Sequence, residues 1–458
     1  MSSSRTLTET GTGSSADPTT TATPASEVNV STVDEADAPQ ASGMPHDCVS
    51  NTDRSIDRGA RSRRELGIDV ARGLALLGMM VVHILPAATR TGEITTPWLL
   101  SVGKASALFA VVAGVGIAFS TGRTRPPYGR RWYAAVAALL VRAALICALG
   151  LWLGGVVGQA AYVILPYYAL LFVLAIPFLR MPVRWLVVAA VAAGFAMPTV
   201  SFFARAGMPW EGEPLNLTFA SVIAGPAASL NELLFTGSYP VLPWLTYVLV
   251  GLAVGRTRLS MRGVAAAIAG IGIALALFTR LVSWYLLSVI GGQAELAETS
   301  RGTISLQSFT DILVFGSSGT VPADSAWWLA VLAPHTATTP DLFFTIGIAL
   351  GVLGLAIMLS RVIGPLLWPL AAAGSMPLTL YATHLLLLAL PVMPRDAGVN
   401  FAVQAAVLVA FALLWRNWFA RGPLEELVWR ATDLVRRRVL KQRTPSKELG
   451  DSAQPLQA

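Results

Sequence analysis

Asp69, Arg72 and His83 stand within one apolar stretch, Ile68-Asp69-Val70-Ala71-Arg72-Gly73-Leu74-Ala75-Leu76-Leu77-Gly78-Met79-Met80-Val81-Val82-His83. An ionisable side chain inside a bilayer costs roughly 2.5–3.5 kcal/mol on insertion scales, so such groups are seldom idle. Arg72 and His83 lie eleven residues apart, and eleven steps of about 100° return a helix to nearly the same face. Both side chains therefore look toward one cavity, about 16 Å apart along the axis. An imidazole is the natural general base for taking a proton from a hydroxyl. A guanidinium suits phosphate recognition through charge-assisted hydrogen bonds.

Two further histidines, His335 and His384, fall on the same side of the bilayer as His83 once the topology below is applied. Lys104 precedes a small-residue run, Ala105-Ser106-Ala107-Leu108-Phe109, near that same end. Each group also has a plain structural reading. Asp69 and Arg72 are i,i+3 and can pair to anchor an interface. His384, after Thr379, Tyr381 and Thr383, can be a core histidine bonded to a neighbouring helix. His335 can be a loop residue, and Lys104 can snorkel to the headgroups. Arg142 implies a later start for the third span than the apolar pattern suggests, and Arg280, deep in the seventh, calls for an acidic or carbonyl partner. None of the histidines sits in an HxxxH arrangement and the two cysteines, Cys48 and Cys147, form no CxxC, so no metal site is expected.

The elements that must position these groups are membrane helices. The chain is 54% apolar and 13% charged with a mean hydropathy of +0.61, which excludes an ordinary soluble globule. Its apolar residues come in blocks of about 20, the length that crosses roughly 30 Å of hydrocarbon. The expected fold is all-α, a polytopic helical membrane protein of about ten transmembrane helices: 67–88, 98–120, 132–154, 160–179, 184–204, 239–255, 263–290, 341–360, 363–393 and 398–420. Loops after even-numbered spans carry Arg123, Arg125, Arg130 and Arg131, then Arg180 and Arg184, then Arg256, Arg258 and Arg262, then Arg361. Loops after odd-numbered spans are poorer in arginine throughout. By the positive-inside rule both termini face the cytosol, and His83 faces the outside. The net charge of +7 therefore reports topology, and no nucleic-acid partner is expected.

Residues 1–64, rich in Ser, Thr, Ala, Asp and Pro, are expected to be a disordered cytosolic tail and not a cleaved signal peptide. Residues 65–420 form the transmembrane domain. Residues 421–458 begin as a basic amphipathic helix on the inner leaflet and end in disorder. Two long external loops, 205–238 and 291–340, contain short apolar pieces, including the Trp327-Trp328 pair. They are expected to be lids or amphipathic helices at the interface. Gly-rich runs such as Gly114-Val115-Gly116 are close-packing positions, not phosphate loops.

Asp69-Val70-Ala71-Arg72-Gly73-Leu74-Ala75 followed by His83 resembles the first-helix signature of the transmembrane acyltransferase superfamily, whose O-acyltransferase branch carries an Arg-x10-His motif. Other stretches are similar to the heparan-α-glucosaminide N-acetyltransferase-like and YeiB-like branch. They are Ala105–Phe109 with Gly114, Gly237-Ser238-Tyr239-Pro240-Val241-Leu242-Pro243-Trp244, Gly374-Ser375-Met376-Pro377-Leu378-Thr379-Leu380-Tyr381 with His384, and Arg421-Gly422-Pro423-Leu424-Glu425. The resemblance implies use of cytosolic acyl-CoA, acetyl-CoA foremost, as co-substrate with no bound cofactor. The acyl group would pass to a hydroxyl or amine of an extracytoplasmic envelope glycan or glycolipid. His83, Arg72, His384 and His335 are then the expected catalytic residues, and Asp69, Lys104, Trp244 and Tyr381 the expected substrate-binding ones. In the N-acetyltransferase branch the working histidine sits in the loop after the first helix, and residues 89–97 here contain none. Which histidine works is therefore open between His83, His335 and His384. The expected setting is the cell membrane, with lipid and a saccharide or glycolipid acceptor as partners and a homodimer left open. The alternative is a transporter or flippase for an envelope precursor whose buried charges line a path.

Overall fold

The computed structural model describes residues 48–208 and 215–441. The expected disorder of residues 1–47 and of the C-terminal end from 442 lies outside those residues. By contacts the chain divides into Met1–Thr52 and Asp53–Ala458, and the fold below is that of the second unit. The described residues form helices, with only isolated bridges and no strand. The protein is an all-α, multi-pass membrane protein.

The first helix, α1 (Cys48–Ile84), starts upstream of the first span, within the residues expected to be disordered. Its early part contains no proline and several good helix formers, so the helix continues back from the membrane segment Leu66–Ile84. Then follow α2 (Thr96–Ser101), α3 (Lys104–Ser120), α4 (Arg130–Val157), α5 (Leu165–Leu174) and α6 (Val183–Ala204). After α7 (Phe219–Ala224) and α8 (Pro226–Asn231) come α9 (Val241–Gly255) and α10 (Arg262–Trp284). The remainder comprises α11 (Gly292–Thr299), α12 (Leu306–Phe315), α13 (Thr339–Leu359), α14 (Trp368–Gly374), α15 (Pro377–Ala389), α16 (Ala397–Arg416) and α17 (Pro423–Lys441).

Seven helices among the described residues are long and apolar enough to span, and nine if each of two bent pairs counts as one span. At most nine of the ten expected spans have a counterpart of spanning length among the described residues; the one expected at 160–179 does not, and those at 98–120, 239–255 and 363–393 are interrupted or bent. The segment expected at 160–179 is the ten-residue α5 followed by a 3-10 turn, Ile176–Arg180. An extended approach precedes it, and non-helical backbone at depth needs partners. Asn216 accepts from Val163 N at 2.8 Å, and the Tyr381 hydroxyl accepts from Ile164 N at 3.3 Å. The segment containing α9 bends by 58° after Pro226–Thr236, across Gly237-Ser238-Tyr239-Pro240. The segment expected at 363–393 bends by 83° between α14 and α15, at Ser375-Met376 before Pro377. Proline disfavours helix at the residue before it and lacks the donor to continue one.

Glycines set the closest helix approaches. A Cβ on Gly114 would overlap the Val248 carbonyl, and one on Gly251 the Val111 carbonyl, so α3 and α9 meet backbone to backbone. A Cβ on Gly374 would overlap the Asp69 carbonyl and one on Gly73 the Leu370 carbonyl, which locks α14 against α1. Gly116 is different: it faces Arg72 and leaves room beside it.

The segment after α10 is not a pair of surface helices. Phe309, Ile312, Val321, Trp328 and Val331 build a small core of their own with Phe202 and Leu296. Trp328 is fully buried, with its indole N–H donating to Asp324 at 2.8 Å, so it is a core residue and not an interfacial one.

Candidate active site

Helix α1 carries Arg72, Met79 and His83 along one face, as the 3.6-residue period requires. At its basic end Arg72 donates to Asp69 at 2.8 Å, and both side chains keep about a quarter of their surface exposed (26% and 24%). This is the i,i+3 pair foreseen from the sequence. It leaves guanidinium nitrogens facing a cavity of about 450 Å³.

Four arginines from three helices line that cavity: Arg72, Arg142 of α4, and Arg421 and Arg436 on and just before α17. Arg142 lies well inside α4, which begins at Arg130, so the span starts earlier than its charge suggested, not later. The Arg142 guanidinium stacks over Phe172 at 5.0 Å, and its buried Nε has no hydrogen-bond partner. Arg421 lies over Trp429 at 4.0 Å and pairs with Glu426 at 3.2 Å. The hydrogen bond from Arg430 holds the Glu426 carboxyl below the usual carboxylate range, with Arg421 adding to the effect. The cavity thus offers fixed positive charge beside aromatic faces, a combination suited to phosphate and to a flat ring system.

Glu425 ties α17 to α15. Its carboxylate accepts from Leu378 N at 2.6 Å, Thr379 N at 3.1 Å and the Thr379 hydroxyl at 2.6 Å. Met376 precedes α15 and has no side-chain acceptor for the orphan amides of its first turn. A carboxylate from another helix supplies the cap, where the helix dipole also favours it.

At the other end stands the histidine pair. His83 Nδ1 and His384 Nε2 are 3.1 Å apart with the rings nearly coplanar, the interplanar angle being 4°. His384 Nδ1 lies 2.8 Å from the Gln404 side-chain oxygen, and Gln404 donates in turn to Asn400 at 2.8 Å. His384 and Gln404 are completely buried. An amide oxygen only accepts, so His384 Nδ1 carries the proton and its Nε2 presents a lone pair. His83 Nδ1 then donates to that lone pair, which leaves His83 Nε2 as a free base.

The cavity reaches Met79, one turn before His83, and Tyr381, one turn before His384. The same two helices therefore carry cavity wall and histidine pair. His335 lies close enough to His83 to interact electrostatically but shares no hydrogen bond with it. It sits edge-on to Tyr239 at 5.8 Å, with φ of +56°, a left-handed conformation uncommon outside glycine, though histidine adopts it more often than most residues. Burial, and Lys104 beside it, lower its pKa to about 4. Lys104 donates to the Leu99 carbonyl at 2.7 Å and so is tied into its own turn. Tyr381 lines the cavity; Trp244 does not, being buried between Tyr239 and Tyr247.

Sequence reasoning passed over Gln404, Asn400 and the cavity roles of Arg142 and Arg436. Arg142 gave a signal, a charge within an apolar block. Gln404 gave only a weak one, an amide four residues after Asn400 in an otherwise apolar helix.

Residues 64–288 match the family described as heparan-alpha-glucosaminide N-acetyltransferase, catalytic. The match runs from within α1 to just past the end of α10, so Arg72, His83, Lys104, Arg142 and Trp244 fall inside it. His335, His384, Gln404 and Arg421 lie beyond it. No curated protein matches the chain.

Proposed function

We propose that the chain is a membrane acetyltransferase that moves an acetyl or short acyl group from acyl-CoA to an envelope saccharide, a reading supported by the match of residues 64–288 to the heparan-alpha-glucosaminide N-acetyltransferase catalytic family. The donor enters the arginine-lined cavity from the cytosol. The acceptor, a hydroxyl or amine of a glycan or glycolipid, meets it at the histidine end on the outer side. The arginine-rich loops and the tail arginines support that orientation, and the plasma membrane is the expected setting.

The observation that carries the reading is one helix face, where Arg72 lines the cavity and His83 faces His384 across 3.1 Å. Arg72, Arg142 and Arg421 bind the donor phosphates. His83 Nε2 takes the proton from the acceptor as its oxygen or nitrogen attacks the thioester carbonyl. His384 holds the Nδ1–H of His83 and steadies the imidazolium that forms. As the tetrahedral intermediate collapses, the carbon–sulfur bond breaks and the thiolate takes that proton, leaving free CoA and the acylated acceptor. Lys104 and His335 flank the acceptor side. Asp69 orients Arg72, and Tyr381 shapes the passage between the two ends.

Purified protein incubated with labelled acetyl-CoA and an envelope glycolipid extract tests this. Label is expected in the glycolipid fraction with wild type and not with His83→Ala. Equal transfer by His83→Ala would clear His83 of its role, and no transfer by wild type to any component would overturn the enzyme reading.

The two broken helices favour a second reading, a transporter or flippase, since interrupted spans often line a translocation path. Substrate movement in proteoliposomes without CoA would select it.

A further inference from the structure

Arg280 is a membrane-embedded charge outside the arginine-lined cavity, near enough to Lys104 to interact with it electrostatically. The expected acidic or carbonyl partner is not there: among the described residues Arg280 makes no hydrogen bond or ion pair. Arg280 is exposed, on an α10 face where Leu277, Phe278, Leu281 and Trp284 are all more than half exposed. An unpaired guanidinium on a lipid-facing surface is costly unless the lipid itself supplies the counter-charge.

Its depth permits that. α10 starts at Arg262, and the eighteen residues to Arg280 rise about 27 Å of a hydrocarbon core roughly 30 Å thick. Trp284 and Tyr285, both exposed, follow one turn later, where interfacial aromatic residues gather. The guanidinium therefore lies just beneath the headgroups of the leaflet at the histidine end.

The surface there is concave. A groove of about 420 Å³ runs between Arg280, Leu277, Leu281 and Trp284 on one side and Leu332 on the other. The Ser283 hydroxyl donates to the Ala330 carbonyl at 2.7 Å, which holds the second wall against the helix. A single cation at headgroup level above leucine side chains matches a phosphodiester with acyl chains beneath it. We propose that this groove binds one anionic phospholipid from the leaflet at the histidine end.

Native mass spectrometry of the full chain in detergent tests the site, with phosphatidylglycerol, phosphatidylcholine or inorganic phosphate added separately. One phosphatidylglycerol is expected to be retained where phosphatidylcholine is not. Arg280→Ala and the closer-sized Arg280→Gln should each cut that occupancy at least tenfold, while Arg280→Lys retains most of it and Arg258→Ala all of it. Phosphatidylglycerol retention unchanged in both neutral variants would overturn the proposal. So would equal retention of phosphatidylcholine, which would mean a nonspecific apolar groove. Saturation by inorganic phosphate with none by lipid would overturn the lipid assignment. No readout depends on acyl transfer, so the outcome is separate from that of the enzyme reading.

Discussion

Gln404→Leu isolates the role of the buried amide behind the histidine pair. Leucine has nearly the volume of glutamine, so the packing of α16 against the bundle is preserved while the acceptor for His384 Nδ1–H is removed. That donor is buried and its partner lies 2.8 Å away, and leaving such a group unpaired costs about 1–3 kcal/mol. His384 can avoid the penalty by moving its proton to Nε2, but that nitrogen faces His83 Nδ1 at 3.1 Å. Two N–H groups would then oppose each other, and His83 must shift its own proton to Nε2. The base lone pair is lost in that shifted state, and the working tautomer is disfavoured by up to the same penalty. Since about 1.36 kcal/mol is tenfold in rate, kcat should fall between about 5-fold and 150-fold.

The assay is initial-rate acetyl transfer in membranes, with acetyl-CoA varied. Gln404 lies outside the arginine-lined cavity, so KM for the donor should stay at the wild-type value while kcat falls. Gln404→Glu, whose carboxylate oxygen accepts the same hydrogen bond, should recover part of the loss. A wild-type kcat in Gln404→Leu would refute the tautomer argument. A fall in kcat matched by a rise in KM would show instead that the substitution deforms the cavity.

Three other outcomes are expected. Arg72→Ala removes a charge-assisted contact worth about 1.5–3 kcal/mol, so KM for acetyl-CoA should rise roughly 10-fold to 150-fold, with Arg72→Lys intermediate; an unchanged KM would place the donor elsewhere. Gly374→Ala forces a Cβ into the Asp69 carbonyl and should cost about 1–3 kcal/mol by overpacking, seen as a lower melting temperature, whereas Gly270→Ala, where nothing lies within 4 Å, should leave it unchanged or raised. His335, with its pKa lowered to about 4, binds its proton less readily folded than unfolded, where an imidazole titrates near about 6.5. Stability should therefore fall as pH drops from about 6.5 to about 4, and His335→Asn, which tolerates the left-handed backbone, should flatten that slope in a pH series of thermal melts.

What the sequence revealed and what it hid follow from how far each signal travels along the chain. The shared face of Arg72 and His83 was legible because both residues sit on one regular helix, where spacing alone fixes direction. The number and placement of apolar segments were legible for the same reason. Breaks were not: α5 is short because Asn216 and Tyr381, distant in sequence, satisfy the backbone before it. The partnership of His83 with His384 spans 301 positions, and only the packing of α1 against α14 brings the two together. Gly73 and Gly374 permit that packing by bringing the Leu370 and Asp69 carbonyls within reach of the facing helix. Glu425 then caps α15, the helix that carries Tyr381 and His384. The helices of the histidine pair are thus fastened at their basic ends, beside Arg72, by a glycine contact and a borrowed cap, while the histidines stand at the far end. A change on the donor side of α14 or α17 should therefore be felt at the histidine pair, about a helix length away, before it is felt anywhere else in the bundle.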